Sequence, residues 1–231
     1  MKKKPCTEAW TDTGYTGLAT LTDEENKRNE AEVNREMRTL FENVFRRHLH
    51  ETRKRVLVEK TPEHALHLRE IHALFPEATY LHLIRDGRDV LRSFISRDLF
   101  RHWNIDLGGK DPVDFVAELW RNHVTRGREF GRDAEVRYRE WRYHDCLPAL
   151  RESVTPLLRE FGLSWAPEMD LFLAHGMGGL DLGRVGQYRK ILAAGEIERF
   201  EKLNADLLVE LGYPLETVFF NQEPAAHERN S

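Results

Sequence analysis

The stretch Thr79-Tyr-Leu-His-Leu-Ile-Arg-Asp-Gly-Arg-Asp-Val90 decides the fold, because it has the pattern of a strand that runs directly into a helix. Residues 79–84 form a short run rich in apolar, β-branched and aromatic residues, the mark of a buried strand. Beyond Gly87 the apolar residues repeat at helical spacing, at Val90, Leu91, Phe94, Ile95 and Leu99. Arg85 therefore lies at the carboxyl end of a strand, which is where ligands bind in open α/β sheets.

Two interpretations of this turn are open at this point. A guanidinium at Arg85, with a second arginine and the Ser93 hydroxyl nearby, suits a phosphate group, which accepts a planar fork of charged donors. Alternatively, the arginines and aspartates of residues 85–89 pair with one another at the start of the helix and bind no ligand.

Strands and helices alternate along most of the chain. Two further strands are predicted at residues 55–59 and 134–138, and the segments between the strands have helical periodicity. This alternation is typical of an α/β fold with a parallel sheet flanked by helices on both faces. We expect one domain over residues 1–220, irregular at 1–21, followed by a disordered polar tail at 221–231.

Composition excludes several classes of protein. The 231 residues have a net charge of −4, which gives no general attraction to nucleic acid or to membranes. No apolar segment has the length of a membrane span. Two cysteines, Cys6 and Cys146, are too few for a disulfide framework and fit a reducing compartment, so we expect a cytoplasmic protein. The eleven histidines have no metal-ligand spacing, so no metal is expected.

Lys60 has the same placement as Arg85, after an apolar strand and before a helix that opens with Thr61-Pro62. Amides at a helix start favour an anion. Taken alone, this segment favours Lys60 as a solvated residue and Thr61-Pro62 as no more than the start of a helix. Two strand ends that each deliver a cation to one sheet edge favour a ligand site.

These segments resemble the central block of sulfotransferases that use 3′-phosphoadenosine-5′-phosphosulfate. The resemblance rests on Glu59-Lys-Thr-Pro62, Leu74-Phe-Pro76, and Leu83-Ile-Arg-Asp-Gly-Arg-Asp-Val90 with Ser93. The run Ser93-Phe-Ile-Ser-Arg97 is similar to the tyrosylprotein branch and its bacterial relatives. Looser similarity continues through Val136-Arg-Tyr138, Gly183-Arg-Val-Gly-Gln-Tyr188 and Leu211-Gly-Tyr213, so it covers most of the chain from about residue 55.

The resemblance implies a role for each matching residue. Arg85 and Ser93 would bind the 3′-phosphate of the co-substrate, reinforced by Arg97. Tyr138 would lie near the nucleotide, and the loop from Arg184 to Tyr188 would fold over its phosphate end. Lys60 would face the sulfuryl group. The family's glutamate base matches Glu8 best.

One departure from the family pattern is clear. Family members begin with a strand and a loop of the type Arg-Ser-Gly-Thr-Thr that holds the 5′-phosphosulfate. Residues 13–17, Thr-Gly-Tyr-Thr-Gly, have glycines but no basic residue, and the lysines at 2–4 have no glycines. The sequence therefore predicts a P-loop NTPase-like sulfotransferase fold with its first βα unit missing. We expect this absence to expose a sheet edge or an apolar groove, so that the chain self-associates into a homo-oligomer or captures a neighbouring strand.

The first hypothesis for function is transfer of a sulfuryl group from 3′-phosphoadenosine-5′-phosphosulfate to the hydroxyl of a small-molecule, carbohydrate or peptidyl-tyrosine acceptor. The second is a non-catalytic nucleotide-binding or interaction protein that keeps only the 3′-phosphate half of the site. A phosphate-transferring enzyme is disfavoured because the chain has no Walker loop. The acceptor pocket is expected in residues 98–112 and 165–182.

Overall fold

The computed structural model describes residues 23–133, 135–175 and 185–217. The chain divides into two compact units. The first holds residues 23–59 and 69–77, and the second holds 60–68 together with the described residues from 78 onward. The expectations for residues 1–21 and 221–231 lie outside the described residues.

Helices make up most of the described chain. In chain order they are α1 (Asp23–Thr52), a 3₁₀ helix (Pro62–Leu66), α2 (Leu68–Leu74), α3 (Gly87–Ser96), α4 (Leu99–His102), α5 (Pro112–Gly131), α6 (Tyr143–Cys146), α7 (Leu150–Glu160), α8 (Pro167–His175), α9 (Tyr188–Ile191) and α10 (Ala194–Glu210). Two strands, β1 (Thr79–Ile84) and β2 (Arg137–Arg142), are described.

The first unit is built on the long helix α1. Phe45 and Phe41 of α1 pack on Phe75 just after α2, with the Phe45 and Phe75 ring centroids 5.9 Å apart. Arg38 donates to the Leu74 carbonyl at 3.0 Å and pairs with Glu77 at 2.6 Å. One face of α1 is thereby fixed on the segment 69–77.

The second unit is built on a parallel pair of strands. β1 pairs with β2 in a register that runs from Thr79 opposite Arg137 to Ile84 opposite Arg142, so both strands end at the same edge. The two strands with their helices confirm the predicted α/β class with a parallel sheet.

Helix α5 covers one face of β1 and runs antiparallel to it. Trp120 lies at the carboxyl end of the strand, where its Nε1 donates to the Arg85 carbonyl at 3.0 Å. Phe130 packs on Tyr80 near the amino end, with ring centroids 4.9 Å apart. Trp120 belongs to the main hydrophobic core, whose fully buried members include Ile84, Leu91, Val116, Phe200, Leu208 and Leu211.

Three predicted features differ in the structure. Residues 55–59 form no strand: the segment has no ladder partner among the described residues, and Val58 is 85% exposed. The strand predicted at 134–138 begins at Arg137 and continues to Arg142, because pairing with β1 sets its limits. The sequence also predicts that Pro156 breaks a helix, whereas Pro156 lies inside α7.

Candidate functional site

Arg85 lies at the carboxyl end of β1, where the sheet edge meets the start of α3. Its guanidinium stacks over the ring of Tyr143, 5.3 Å from the ring centroid. Tyr143 follows β2 directly, so the parallel register brings the two residues together. The Arg85 side chain is 26% exposed and lies 3.8 Å from Asp89, an ion-pair distance longer than a hydrogen bond.

Asp89 connects this edge to a second loop. Its two carboxylate oxygens accept from the backbone N–H groups of Gly186 at 2.8 Å and Tyr188 at 3.0 Å. The carboxylate is almost completely buried, so these charge-assisted bonds are well shielded from water. Gly186 has a φ of +71°, a left-handed conformation that suits glycine. Asp89 therefore holds the loop 186–188 beside Arg85.

Arg88, three residues after Arg85, is fully buried in a network of its own. It pairs with the α3 cap residue Asp86 at 2.7 Å and with Glu201 of α10 at 2.5 Å, and it donates to the Pro214 carbonyl at 2.8 Å. Burial opposes the charge of Arg88, but the bonds to its two carboxylate partners outweigh burial and hold its pKa above the ordinary arginine value.

Glu201 also anchors the segment that follows α10. Its carboxylate accepts from the backbone N–H groups of Glu216 at 3.0 Å and Thr217 at 2.9 Å. The helix-start network considered as an alternative is therefore present at Arg88, which is fully buried, whereas Arg85 pairs with Asp89 at 3.8 Å and is partly exposed at the sheet edge.

Ser93 and Arg97 follow Asp89 along α3 at intervals of four residues, so the three lie on one side of the helix. Ser93 is half-buried, and Arg97 is exposed at the carboxyl end of α3. This side of α3 begins at Asp89, which lies 3.8 Å from Arg85.

Tyr138 lies away from this edge. It is opposite Tyr80 near the amino ends of the strands, and its hydroxyl is hydrogen-bonded to Nδ1 of His82 at 2.6 Å. Burial, with a smaller contribution from Glu140, raises its pKa. The structure does not bring Tyr138 to Arg85; the ring on which the Arg85 guanidinium stacks is that of Tyr143.

Tyr188 is at the tethered loop, but its side chain is fully buried. The ring lies between the guanidinium groups of Arg88, 4.4 Å from the centroid, and Arg189, 4.7 Å away. Its hydroxyl donates to Glu216 at 2.8 Å. Burial, followed by this bond to Glu216, raises the Tyr188 pKa. Tyr188 contributes its backbone amide to the Asp89 contact.

Lys60 is exposed in the irregular segment before the 3₁₀ helix Pro62–Leu66. That helix packs against α5, the helix whose Trp120 holds the Arg85 carbonyl. Thr61 occupies the cap position, although its side chain makes no capping bond. The predicted residues Glu8 and Arg184 lie outside the described residues.

Sequence reasoning missed Tyr143 and Asp89. Tyr143 is separated from Arg85 by 58 positions, and only the β1–β2 register joins them. In the sequence, Asp89 is one of several charged residues in a turn, and the composition of that turn does not distinguish it. A carboxylate one helical turn beyond a strand-end arginine is the signal that could have identified it.

Within residues 23–133, 135–175 and 185–217, no group of three or more metal-ligating side chains is placed to hold a metal ion. None of the helices in this part of the chain is long and apolar enough to cross a membrane. An open cavity of about 330 Å³ lies between residues 106–110 and α5, lined in part by Lys110, Phe115 and Glu118. Arg85 does not line it.

Comparison with known proteins adds a family and a fold. A sulfotransferase domain from the curacin biosynthetic pathway matches with a TM-score of 0.55 and 18% sequence identity, over 75% of this chain and 68% of that domain. The likeness supports the same fold. No curated protein sequence matches. The profile of the sulfotransferase family matches residues 3–167, more than two thirds of the chain. The chain therefore belongs to the sulfotransferase family.

Proposed function

We propose that this protein transfers a sulfuryl group from 3′-phosphoadenosine-5′-phosphosulfate to an acceptor hydroxyl. The observation that carries the proposal is the position of Arg85 at the carboxyl end of β1, stacked on Tyr143 and beside the loop that Asp89 tethers. Membership of the sulfotransferase family supports sulfuryl transfer as the class of reaction. Arg85 lies at the carboxyl edge of a parallel sheet, which is where ligands commonly bind.

The 3′-phosphate is assigned to Arg85, Ser93 and Arg97. A guanidinium and a hydroxyl both donate to phosphate oxygens, and a guanidinium matches phosphate with two parallel bonds. Asp89 accepts from two backbone amides and lies at an ion-pair distance of 3.8 Å from Arg85, so it holds the loop 186–188 close to the proposed phosphate site.

The nucleotide base is assigned to the Tyr143 side of the edge. An aromatic ring offers a stacking surface of the kind that nucleotide bases use. The resemblance suggested Tyr138 for this region, but Tyr138 is bonded to His82 near the opposite ends of the strands. The loop from Arg184 to Tyr188 is proposed to close over the phosphate end, with Asp89 fixing its described part.

The reaction proposed is an in-line displacement at sulfur. The acceptor oxygen forms a bond to sulfur while the bond from sulfur to the bridging phosphate oxygen breaks, and the electron pair leaves with adenosine 3′,5′-bisphosphate. Glu8 is the proposed base for the hydroxyl proton. Lys60 is proposed to stabilise the negative charge that develops on the leaving phosphate, an electrostatic contribution that is largest in the transition state.

The acceptor is proposed to bind at the cavity beside residues 106–110, within the acceptor segment predicted at 98–112. Its lining combines an aromatic ring, Phe115, with the paired charges of Lys110 and Glu118. The cavity shares helix α5 with the Arg85 edge, because Trp120 of the same helix donates to the Arg85 carbonyl.

A transfer assay tests the proposal. The chain is incubated with 3′-phosphoadenosine-5′-phosphosulfate carrying labelled sulfate and with phenols, sugars and tyrosine peptides as acceptors. We expect labelled product from one acceptor class, at a low rate, because the sequence has no glycine-rich loop with a basic residue to hold the 5′-phosphosulfate.

The second candidate, a protein that binds the nucleotide without transferring sulfate, is favoured by that same missing loop. Binding of adenosine 3′,5′-bisphosphate with no product from any acceptor class would support it over the enzyme. Failure to bind either nucleotide would contradict both.

A further inference from the structure

Helix α1 carries an apolar stripe that its own unit leaves exposed. Val33, Met37, Leu40 and Val44 are 53%, 42%, 63% and 55% exposed. Their spacing of four, three and four residues is the a/d spacing of a coiled coil. The stripe lies about a third of a turn around the helix from the face that packs on residues 69–77. Contiguous exposed apolar surface of this kind marks an interaction site.

We infer that this stripe is a dimer interface, and that its occupant is the same stripe of a second copy in antiparallel orientation. An antiparallel pair of identical helices can be symmetric, and each residue then faces a defined partner. With the two-fold axis between residues 38 and 39, Val33 faces Val44 of the second copy and Met37 faces Leu40. Every apolar position of the stripe is matched by another.

The residues that flank the stripe favour this register. The next positions of the a/d pattern beyond the stripe are Glu30, three residues before Val33, and Arg47, three residues after Val44, and both are exposed. The same two-fold axis places Glu30 opposite Arg47 of the second copy. Because the two ends of the stripe carry opposite charges, two antiparallel copies have complementary charges at both ends. A parallel pair in register would place Glu30 on Glu30 and Arg47 on Arg47, which is repulsive.

The charged residues along the whole of α1 are distributed in the same way, with the acidic residues concentrated in the amino-terminal half. Residues 23–37 contain six acidic and three basic residues, whereas residues 38–52 contain two acidic and three basic residues with two histidines. Antiparallel pairing brings the acidic half of each helix against the basic half of the other, which stabilises the pair and selects the orientation.

Sedimentation velocity of the full chain over a wide concentration range tests the inference. We expect a reversible monomer–dimer equilibrium. Leu40→Lys should abolish the dimer, because it places a charge in the centre of the stripe. Arg35→Glu, on the opposite side of α1, should leave the equilibrium unchanged. Circular dichroism confirms that each variant keeps its helix content.

A charge exchange tests the register itself. Glu30→Arg and Arg47→Glu should each weaken the dimer by roughly tenfold, because symmetry creates two like-charged pairs. The double variant should return to within about threefold of the original, because both pairs are then opposite in sign again.

Three results would overturn the inference. One is a chain that stays monomeric at every concentration, and another is a dimer that Leu40→Lys leaves intact. The third is a dimer lost in Leu83→Lys and kept in Leu40→Lys, which would place the interface on the exposed face of β1, where Leu83 is 51% exposed.

Discussion

Arg85 and Arg88 occupy one turn of the chain, yet their surroundings assign them different roles. Arg88 is fully buried between Asp86 and Glu201, and it holds the segment after α10 through the Pro214 carbonyl. Arg85 is partly exposed and rests on the face of Tyr143. A buried, fully paired arginine supports the fold, whereas a partly exposed arginine at a sheet edge can contact a ligand.

Arg88→Met should therefore lower the free energy of unfolding by about 3–5 kcal/mol, because it leaves the Glu201 carboxylate buried without its cation. Urea unfolding measures this loss. Glu201→Gln in the same background should recover part of it by removing the orphaned charge. A loss below about 1 kcal/mol in Arg88→Met, the size of a surface pair, would contradict the structural role.

Lys60 is exposed, so its removal should affect chemistry more than folding. We predict that Lys60→Ala lowers kcat by roughly 10²-fold and leaves the affinity for adenosine 3′,5′-bisphosphate nearly unchanged, the pattern of a contact that strengthens in the transition state. Steady-state kinetics with an acceptor that turns over measures it, with Lys54→Ala as the control. An unchanged kcat would make Lys60 a solvated surface residue.

At the scale of elements, helix α5 positions the sheet through two glycines. A Cβ at Gly127 would lie 2.4 Å from the His82 ring, and one at Gly131 would lie 2.3 Å from the Tyr138 ring. The glycines are four residues apart on one face of α5, so they form a groove. The hydrogen-bonded side chains of His82 and Tyr138 pack into this groove. This groove fixes the strands on the helix that also holds Arg85.

Gly127→Ala should destabilise the protein, although alanine is the better helix former by about 1 kcal/mol. The clash is with a side chain held from both strands, so we expect a net loss of about 1–3 kcal/mol. Gly195→Ala is the matched control: a Cβ there meets nothing within 4 Å, and the substitution should be neutral or slightly stabilising. Thermal unfolding of both variants measures the difference, and equal stabilities of the two variants would contradict close packing of His82 on Gly127.

His82 makes the same packing sensitive to acid. Burial, and then the charges of Arg128 and His123, lower its pKa from 6.5 to about 4. Between pH 4 and pH 6.5, His82 therefore binds a proton in the unfolded chain but not in the folded chain. Stability should fall as the pH drops from about 6.5 to 4, by on the order of 2–3 kcal/mol.

Comparison of the wild type with His82→Gln isolates this contribution from that of the carboxylates. The variant should lose less stability than the wild type between pH 7 and pH 4, and His48→Gln, at an exposed position of α1, should behave as the wild type. Identical pH profiles for the wild type and His82→Gln would show that the histidine does not resist protonation.

The elements differ in how far the sequence could predict them. β1 and α3 were predictable because an apolar run and a helical period meet at Gly87. The limits of β2 were not, because Arg-Tyr-Arg-Glu-Trp-Arg has no strand pattern and becomes a strand only by pairing with β1. Residues 55–59 have the pattern of a strand, but no described strand pairs with them.

At the scale of the molecule, the sequence predicted the family and the arginine at the sheet edge, because both depend on local motifs. It could not predict which residues converge there. Tyr143, Asp89 and Gly186 come together through strand register and a loop contact between distant positions. Likewise, sequence spacing did not show that Arg88 pairs with Glu201, 113 residues away.

The most direct test of the central claim is calorimetric titration of the chain with adenosine 3′,5′-bisphosphate and with adenosine 5′-monophosphate. We expect the bisphosphate to bind more tightly. Arg85→Ala should weaken bisphosphate binding by roughly 10–100-fold, since a hydrogen bond to a charged group contributes about 1.5–3 kcal/mol, and should barely change binding of the monophosphate. Arg159→Ala, at an exposed position of α7, should change neither. Equal affinity of the unmutated protein for the two nucleotides would contradict the assignment of Arg85 to a 3′-phosphate.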